Sequence, residues 1–106
     1  MVVKIKSGSV SLDANTTDYE LFSLTVPEGK KVTILEVAYA CPSDGKITAY
    51  IGEEKVDEVS GAFAPDENHR VVVNRELPAG ETFKIKGTSA TAGDFKYLVI
   101  YDEVKT

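Results

Sequence analysis

The sequence predicts an all-β fold, a single two-sheet antiparallel sandwich over residues 1–106 with about eight strands in jelly-roll or related Greek-key topology. Apolar and polar residues alternate with a period of two in several segments, as they do in half-buried strands. Short segments rich in Gly, Pro and Asp separate them, which is typical of a sandwich or barrel. The 106 residues fit one domain, and 42% of them are hydrophobic, as in a globular protein.

The strand candidates differ in composition, and the differences predict their positions. Val32 to Ala40 is rich in β-branched and aromatic residues, and Phe95 to Tyr101 is the most apolar segment. We therefore expect both in central positions. The short segment Lys55 to Val59 is charged, as edge strands often are. In chain order the candidates are Val3–Lys6, Tyr19–Val26, Val32–Ala40, Ile47–Ile51, Lys55–Val59, Arg70–Asn74, Phe83–Lys86 and Phe95–Tyr101.

Two turns repeat one pattern. Pro27-Glu28-Gly29 and Pro78-Ala79-Gly80 each precede a strand candidate, and each fits a type I turn with Pro at its second position and Gly at its fourth. Two hairpins that use the same turn explain the repeat, and this is the interpretation we favour. A pseudo-duplicated sandwich, in which the two turns open corresponding strands, is the alternative.

Charge and terminal sequence limit the partners and the compartment. The net charge is −5, and the only adjacent basic pair is Lys30-Lys31. Nucleic-acid binders usually present a basic face, so we expect no nucleic-acid partner. Residues Met1 to Lys6 lack the apolar region of a signal peptide, and no apolar run is long enough to span a membrane. We expect no membrane partner and a location in a virion or in the cytoplasm of a host.

The supply of reactive side chains predicts a protein that is not an enzyme. His69 is the only histidine and Cys41 the only cysteine, and neither has a partner in sequence that would activate it. The acidic pairs Glu53-Glu54 and Asp57-Glu58 are typical of a solvated edge. We therefore assign no catalytic, cofactor-binding or metal-ligating residue and expect no cofactor. Oxygen ligands in the segment Asp13 to Asp18 leave Ca²⁺ binding there open.

Two features exceed what a monomeric sandwich needs. The segment Tyr97 to Tyr101 is apolar on both faces, although a sandwich strand needs only one apolar face. Ile34-Leu35 and Val37 to Ala40, on either side of Glu36, nearly match it. An aromatic residue also lies at the centre of the apolar loop Gly61 to Pro65. These features predict a homo-oligomer. The interface candidates are Phe63, Leu98, Ile100, Tyr39 and Tyr101.

The overall style of the chain resembles the small jelly-roll or β-sandwich structural proteins of viruses and phages, of the capsid decoration, turret or tail-accessory type. The resemblance lies in the signal-free start, the two Pro-x-Gly turns and the apolar last strand Phe95 to Tyr101, which ends in Asp102-Glu103. It implies a virion protein, contacts with other virion proteins, and a trimer rather than a dimer. The absence of Gln, with only one Met and one Cys, also follows a thermophile trend.

A carbohydrate-binding β-sandwich module is the alternative function. It predicts a solvent-facing row of tyrosines on which sugar rings could stack, beside polar loops, and it is compatible with Ca²⁺ at Asp13 to Asp18. The candidate platform consists of Tyr19, Tyr39, Tyr50, Tyr97 and Tyr101.

Overall fold

The computed structural model describes residues 2–42, 44–60 and 69–106. Eight strands and no helix lie within these ranges, so no described segment is a helix that could span a membrane. The strands are β1 (Val2–Leu12), β2 (Thr16–Thr25), β3 (Lys30–Ala40), β4 (Gly45–Ile51), β5 (Glu54–Ser60), β6 (His69–Leu77), β7 (Thr82–Ser89) and β8 (Gly93–Lys105).

Two four-stranded antiparallel sheets form the sandwich. The first sheet has the order β1-β8-β3-β6, and the second sheet has the order β2-β7-β4-β5. This is the jelly-roll order, which distinguishes it from the other Greek keys that the sequence left open. The predicted fold class is confirmed, and β3 and β8 are the two central strands of the first sheet, as predicted.

The two Pro-x-Gly turns connect strands of opposite sheets, so the hairpin interpretation is wrong. One turn joins β2 to β3 and the other joins β6 to β7. Val26 and the second turn exchange two backbone hydrogen bonds of 2.9 Å, one with Gly80 and one with Glu81. The two turns therefore lie side by side at one end of the sandwich. Each precedes a central strand of its own sheet, β3 or β7, which agrees with the pseudo-duplicated alternative, in which the two turns open corresponding strands.

Glycine occupies a different place in these turns from the one predicted. The Lys30 N–H donates to the Pro27 carbonyl at 3.2 Å, which puts Gly29 at the third position of its turn. Gly80 occupies the same place, and the φ angles of the two glycines are +76° and +89°. A residue with positive φ at the third position rules out the type I turn, whose third residue has a negative φ.

The core lies between the inner faces of the two sheets. On β8, Phe95, Val99 and Tyr101 are at most 2% exposed, so the odd-numbered residues of this strand point inward. The ring of Phe95 faces two glycines of the second sheet. A Cβ added to Gly45 would lie 2.8 Å from that ring, and one added to Gly87 would lie 3.0 Å from it. Gly45 and Gly87 therefore form a recess for the Phe95 ring, and a side chain at either position would fill it.

A β-bulge explains part of the two-faced apolar pattern in β3. The register of β3 against β8 shifts by one residue between Ile34 and Glu36, so Leu35 is an extra residue. Val32 and Ile34 point inward before the bulge, and Val37 points inward after it, each at 0% exposure. The inward positions thus change from even to odd numbers, as expected when a bulge interrupts strict alternation. A run of apolar residues across the bulge does not require two apolar faces.

Candidate functional site

The outer face of the first sheet carries the strongest surface feature of the described chain. Because Phe95, Val99 and Tyr101 of β8 point into the core, the even-numbered residues of the strand point away from it. Along the strand these residues are Asp94, Lys96, Leu98, Ile100, Asp102 and Val104. Asp94 and Lys96 are exposed, and the other four are half-buried. Leu98 and Ile100 therefore form an apolar centre between the charges of Lys96 and Asp102.

Neighbouring strands extend the apolar centre. Ile5 on β1 pairs with Ile100, and Ala38 on β3 pairs with Leu98. Ile100 also pairs with Glu36 on β3, and Glu36 pairs in turn with Val72 on β6. Ile5 is 63% exposed, Val3 is 56% exposed and Val72 is 68% exposed, which are high values for large apolar side chains. We call this surface the outer patch, consisting of Val3, Ile5, Val72, Leu98 and Ile100, with the buried Ala38 beside Leu98.

Polar groups interrupt the outer patch at defined positions. Glu36 lies between Ile100 and Val72, and Asp102 lies between Val3 and Thr33. The Asp102 Oδ1 atom is buried and accepts no hydrogen bond from any residue that the structure describes. Lys96 makes no ion pair within the same part of the chain. A buried carboxylate oxygen without a donor is costly and is uncommon in folded proteins.

The outer face of the second sheet is charged and internally paired. Lys84 on β7 lies 3.7 Å from Glu20 on β2, and Lys46 on β4 lies 3.5 Å from Glu58 on β5. The ammonium group of Lys86 lies 5.2 Å from the centre of the Tyr50 ring, at cation–π distance. This face satisfies its own charges and exposes no comparable apolar surface among the described residues.

An ion-pair cluster closes one end of the first sheet. Lys4 and Lys30 both donate hydrogen bonds to Glu103 Oε1, at 2.9 and 3.1 Å. These bonds lower the pKa of Glu103 below its ordinary value of 4.5, and the bond to Glu103 raises the pKa of Lys4 above 10.5. The cluster joins β1, β3 and β8 by charge-assisted hydrogen bonds and therefore orders the end of the first sheet.

The structure places the predicted interface residues in three different environments. Leu98 and Ile100 lie in the outer patch. Tyr39 and Tyr101 are buried in the core at 1% and 2% exposure, so assigning them to a surface interface was wrong. Burial and the nearby Asp57 carboxylate raise the pKa of the Tyr39 phenol, which remains neutral. Phe63 lies outside the described residues.

Two observations bear on the ligand sites considered from the sequence. No group of three or more His, Cys, Asp or Glu side chains that could hold a metal ion occurs in the described ranges. In the segment Asp13 to Asp18, the Thr16 hydroxyl donates to the Asp13 carbonyl at 2.7 Å, and the Thr88 hydroxyl donates to Asp18 Oδ1 at 3.4 Å. Hydrogen bonds within the protein therefore occupy two of the oxygens available there.

The tyrosines do not form the solvent-facing row that the carbohydrate hypothesis predicts. Tyr39 and Tyr101 are core residues, and Tyr97 points inward, where its ring lies 5.3 Å from that of Phe22. Tyr50 lies on the outer face of the second sheet, and Tyr19 lies on the edge strand β2. The two tyrosines outside the sandwich are on different strands and do not extend into a platform.

Sequence reasoning missed the polar ends of the outer patch. Lys96 and Asp102 flank the apolar segment, but their common orientation follows only from the parity of β8. The alternation of Phe95, Val99 and Tyr101 with these two residues was the available signal. No protein-family model, curated protein or solved structure matches the chain.

Proposed function

We propose that this protein is a non-enzymatic structural module that assembles with copies of itself through the outer patch, and that it serves as a capsid decoration or accessory protein of a virion. The contrast between the two outer faces is the observation that carries the proposal. One face is apolar in its centre, and the other pairs its own charges. Large contiguous apolar surfaces on small soluble proteins usually mark interfaces.

Burial of the outer patch supplies a sufficient driving force. Moving a Val, Leu or Ile side chain fully out of water contributes about 1.5–3 kcal/mol. Ile5, Val3 and Val72 are each more than half exposed, and Leu98 and Ile100 add their exposed remainder. Several kilocalories per mole are thus available to a partner that covers the face, before the entropy cost of association is subtracted.

A second copy of the chain is the occupant that requires no further assumption. Every copy carries the same outer patch, and closed symmetry lets identical patches cover one another. The resemblance to viral jelly-roll proteins implies three copies and a position on a virion surface. The jelly-roll strand order supports that resemblance, although the same fold also occurs in lectins and cupins. Genes for capsid or tail proteins beside this one would support the virion assignment, and metabolic genes there would contradict it.

A matched pair of lysine substitutions tests the assembly. Ile100→Lys places a charge in the outer patch, and Tyr50→Lys places one on the outer face of the second sheet, at another half-buried position of a central strand. We expect Ile100→Lys to give a folded monomer and Tyr50→Lys to retain the oligomer. Sedimentation equilibrium at micromolar concentration measures the masses, and circular dichroism checks folding. Equal behaviour of the two variants would contradict the assigned face.

A further inference from the structure

The four central outward residues of β8, from Lys96 to Asp102, have a self-complementary order. Lys96 and Asp102 carry opposite charges, and the apolar Leu98 and Ile100 lie between them. The centre of this series falls at Val99, halfway between Lys96 and Asp102. A strand with this order matches a second copy of itself that runs in the opposite direction.

We propose that two copies of the chain pack their first sheets face to face about a two-fold axis that crosses β8 at Val99. Each Lys96 then pairs with Asp102 of the partner subunit, and each Leu98 packs against the partner's Ile100. This inference rests on the proposed assembly through the outer patch and specifies its geometry. It replaces the trimer implied by resemblance with a dimer as the basic unit.

The geometry excludes an ion pair between Lys96 and Asp102 of the same chain. Six residues separate Lys96 from Asp102, which corresponds to about 20 Å along a strand. Sheets that pack face to face are about 10 Å apart, a gap that a lysine and an aspartate side chain can bridge together. The charge pair therefore forms between copies or not at all.

The direction of the axis follows from the charges. An axis parallel to β8 would place Asp102 near the partner's Asp102 and Lys96 near the partner's Lys96. Like charges that face each other are destabilising, especially where a contact excludes water. The alternative axis is perpendicular to β8 and lies in the plane between the two sheets, so each strand faces the same strand of the partner in the opposite direction. The row of residues that contains Ile100 then faces the partner's row that contains Leu98. Ile5 therefore lies opposite the partner's Ser7, and Glu36 lies opposite the partner's Ala38. This axis creates no like-charge contact among these rows.

Asp102 gives the partner a specific role. Its buried Oδ1 atom accepts no hydrogen bond in the described chain, and an apolar partner would remove the remaining water from the same carboxylate. Covering a carboxylate without a donor costs several times more than a surface pair contributes. A lysine ammonium group from the partner supplies a donor and an opposite charge at that point.

A charge-swap experiment tests the pairing. Lys96→Asp alone opposes two aspartates at both ends of the contact, and Asp102→Lys alone opposes two lysines. We expect each single variant to raise the dimer dissociation constant by at least about tenfold, because two repulsive contacts replace two favourable ones. An equimolar mixture of the two variants should regain a wild-type-like affinity, since both pairs are complementary in the mixed dimer. The double variant Lys96→Asp/Asp102→Lys should dimerise as well.

The outcomes separate this inference from the proposed function. A wild-type oligomer whose affinity ignores the single substitutions, or single variants that do not recover on mixing, would overturn the pairing but leave assembly in place. A wild-type trimer would also overturn it. A monomeric wild-type chain would overturn both. If Asp102→Lys does not fold, Asp102→Asn and Lys96→Gln serve instead. Each should weaken dimerisation and reduce its salt dependence, and unchanged affinity in both overturns the pairing.

Discussion

The two outer faces of the sandwich occupy equivalent places in the jelly roll but present different side chains to solvent. The second sheet covers itself with ion pairs such as Lys84–Glu20 and with the Lys86–Tyr50 contact. The first sheet keeps Ile100, Leu98 and Ile5 at its centre, with Glu36 beside Ile100 and with Lys96 and Asp102 on either side of the apolar pair on β8. The fold requires alternation on both sheets but dictates only the inward residues. The outward residues are therefore the positions at which the two sheets can differ.

The largest effect on stability is expected when two adjacent residues of β8, one inward and one outward, are compared. Val99 is 0% exposed in the core, and Ile100 points to the outer patch. Val99→Lys buries an ammonium group without a partner, which should cost at least about 4 kcal/mol and abolish cooperative folding. Ile100→Lys should retain a cooperative thermal transition. Circular dichroism melting compares them, and a well-folded Val99→Lys variant would contradict the inward assignment of the odd residues.

A smaller effect is expected inside the second sheet, at the recess for Phe95. A methyl group on Gly87 would lie 3.0 Å from Phe95, 3.2 Å from Leu21 and 3.3 Å from Leu12. All three side chains would therefore have to move to accommodate it. Gly87→Ala should destabilise the fold by about 1–3 kcal/mol by overpacking.

The outward Lys84→Ala on the same strand is the control, and its effect should stay within about 0.5 kcal/mol. Urea unfolding measures both variants. A neutral or stabilising Gly87→Ala would mean that the recess is not tightly filled. Inward and outward substitutions on β7 would then not differ in their effect on stability, contrary to our expectation.

The smallest effect compares a carboxylate at the end of the first sheet with one on the second. Glu103 accepts hydrogen bonds from Lys4 and Lys30, whereas Glu20 lies 3.7 Å from Lys84 alone. Because its pKa is lowered on folding, Glu103 contributes stability above its ordinary value of 4.5, and that contribution disappears as the pH falls through the lower folded value. Glu103→Gln should lower the melting temperature at neutral pH more than Glu20→Gln does.

The pH profile provides the control for this last comparison. The difference in melting temperature between the wild type and Glu103→Gln should hold from pH 4.5 up to 10.5, since the pKa of Lys4 is raised above 10.5, and should shrink in acid. A difference that persists unchanged well below pH 4.5 would show that the substitution acts by another route than the loss of the charge.

Sequence patterns predicted the strands better than their faces. The apolar β-rich composition of Val32 to Ala40 and Phe95 to Tyr101 was sufficient to place β3 and β8 centrally. The orientation of Tyr39 was not predictable in the same way, because the bulge at Leu35 changes the inward parity and has no clear residue signature. Tyr101 was misplaced for a different reason, since tyrosines often reach a rim, whereas here the parity of β8 buries the ring.

The candidate surface was predicted in part. Leu98 and Ile100 were recognised from the excess of apolar residues in the last strand. Ile5, Val72 and the charges of Lys96 and Asp102 were not, because their grouping depends on the pairing of β1, β3, β6 and β8, which are distant in sequence. Long-range register of this kind cannot be read from local alternation.

The mass of the unmodified chain in solution tests the central claim most directly. Sedimentation equilibrium between about 1 and 100 μM covers the range in which an interface of this kind would associate. Assembly through the outer patch with two-fold pairing predicts twice the 11.5 kDa of the single chain, decreasing toward the monomer on dilution. A mass of 11.5 kDa throughout that range would contradict the claim that the outer patch is a self-assembly surface.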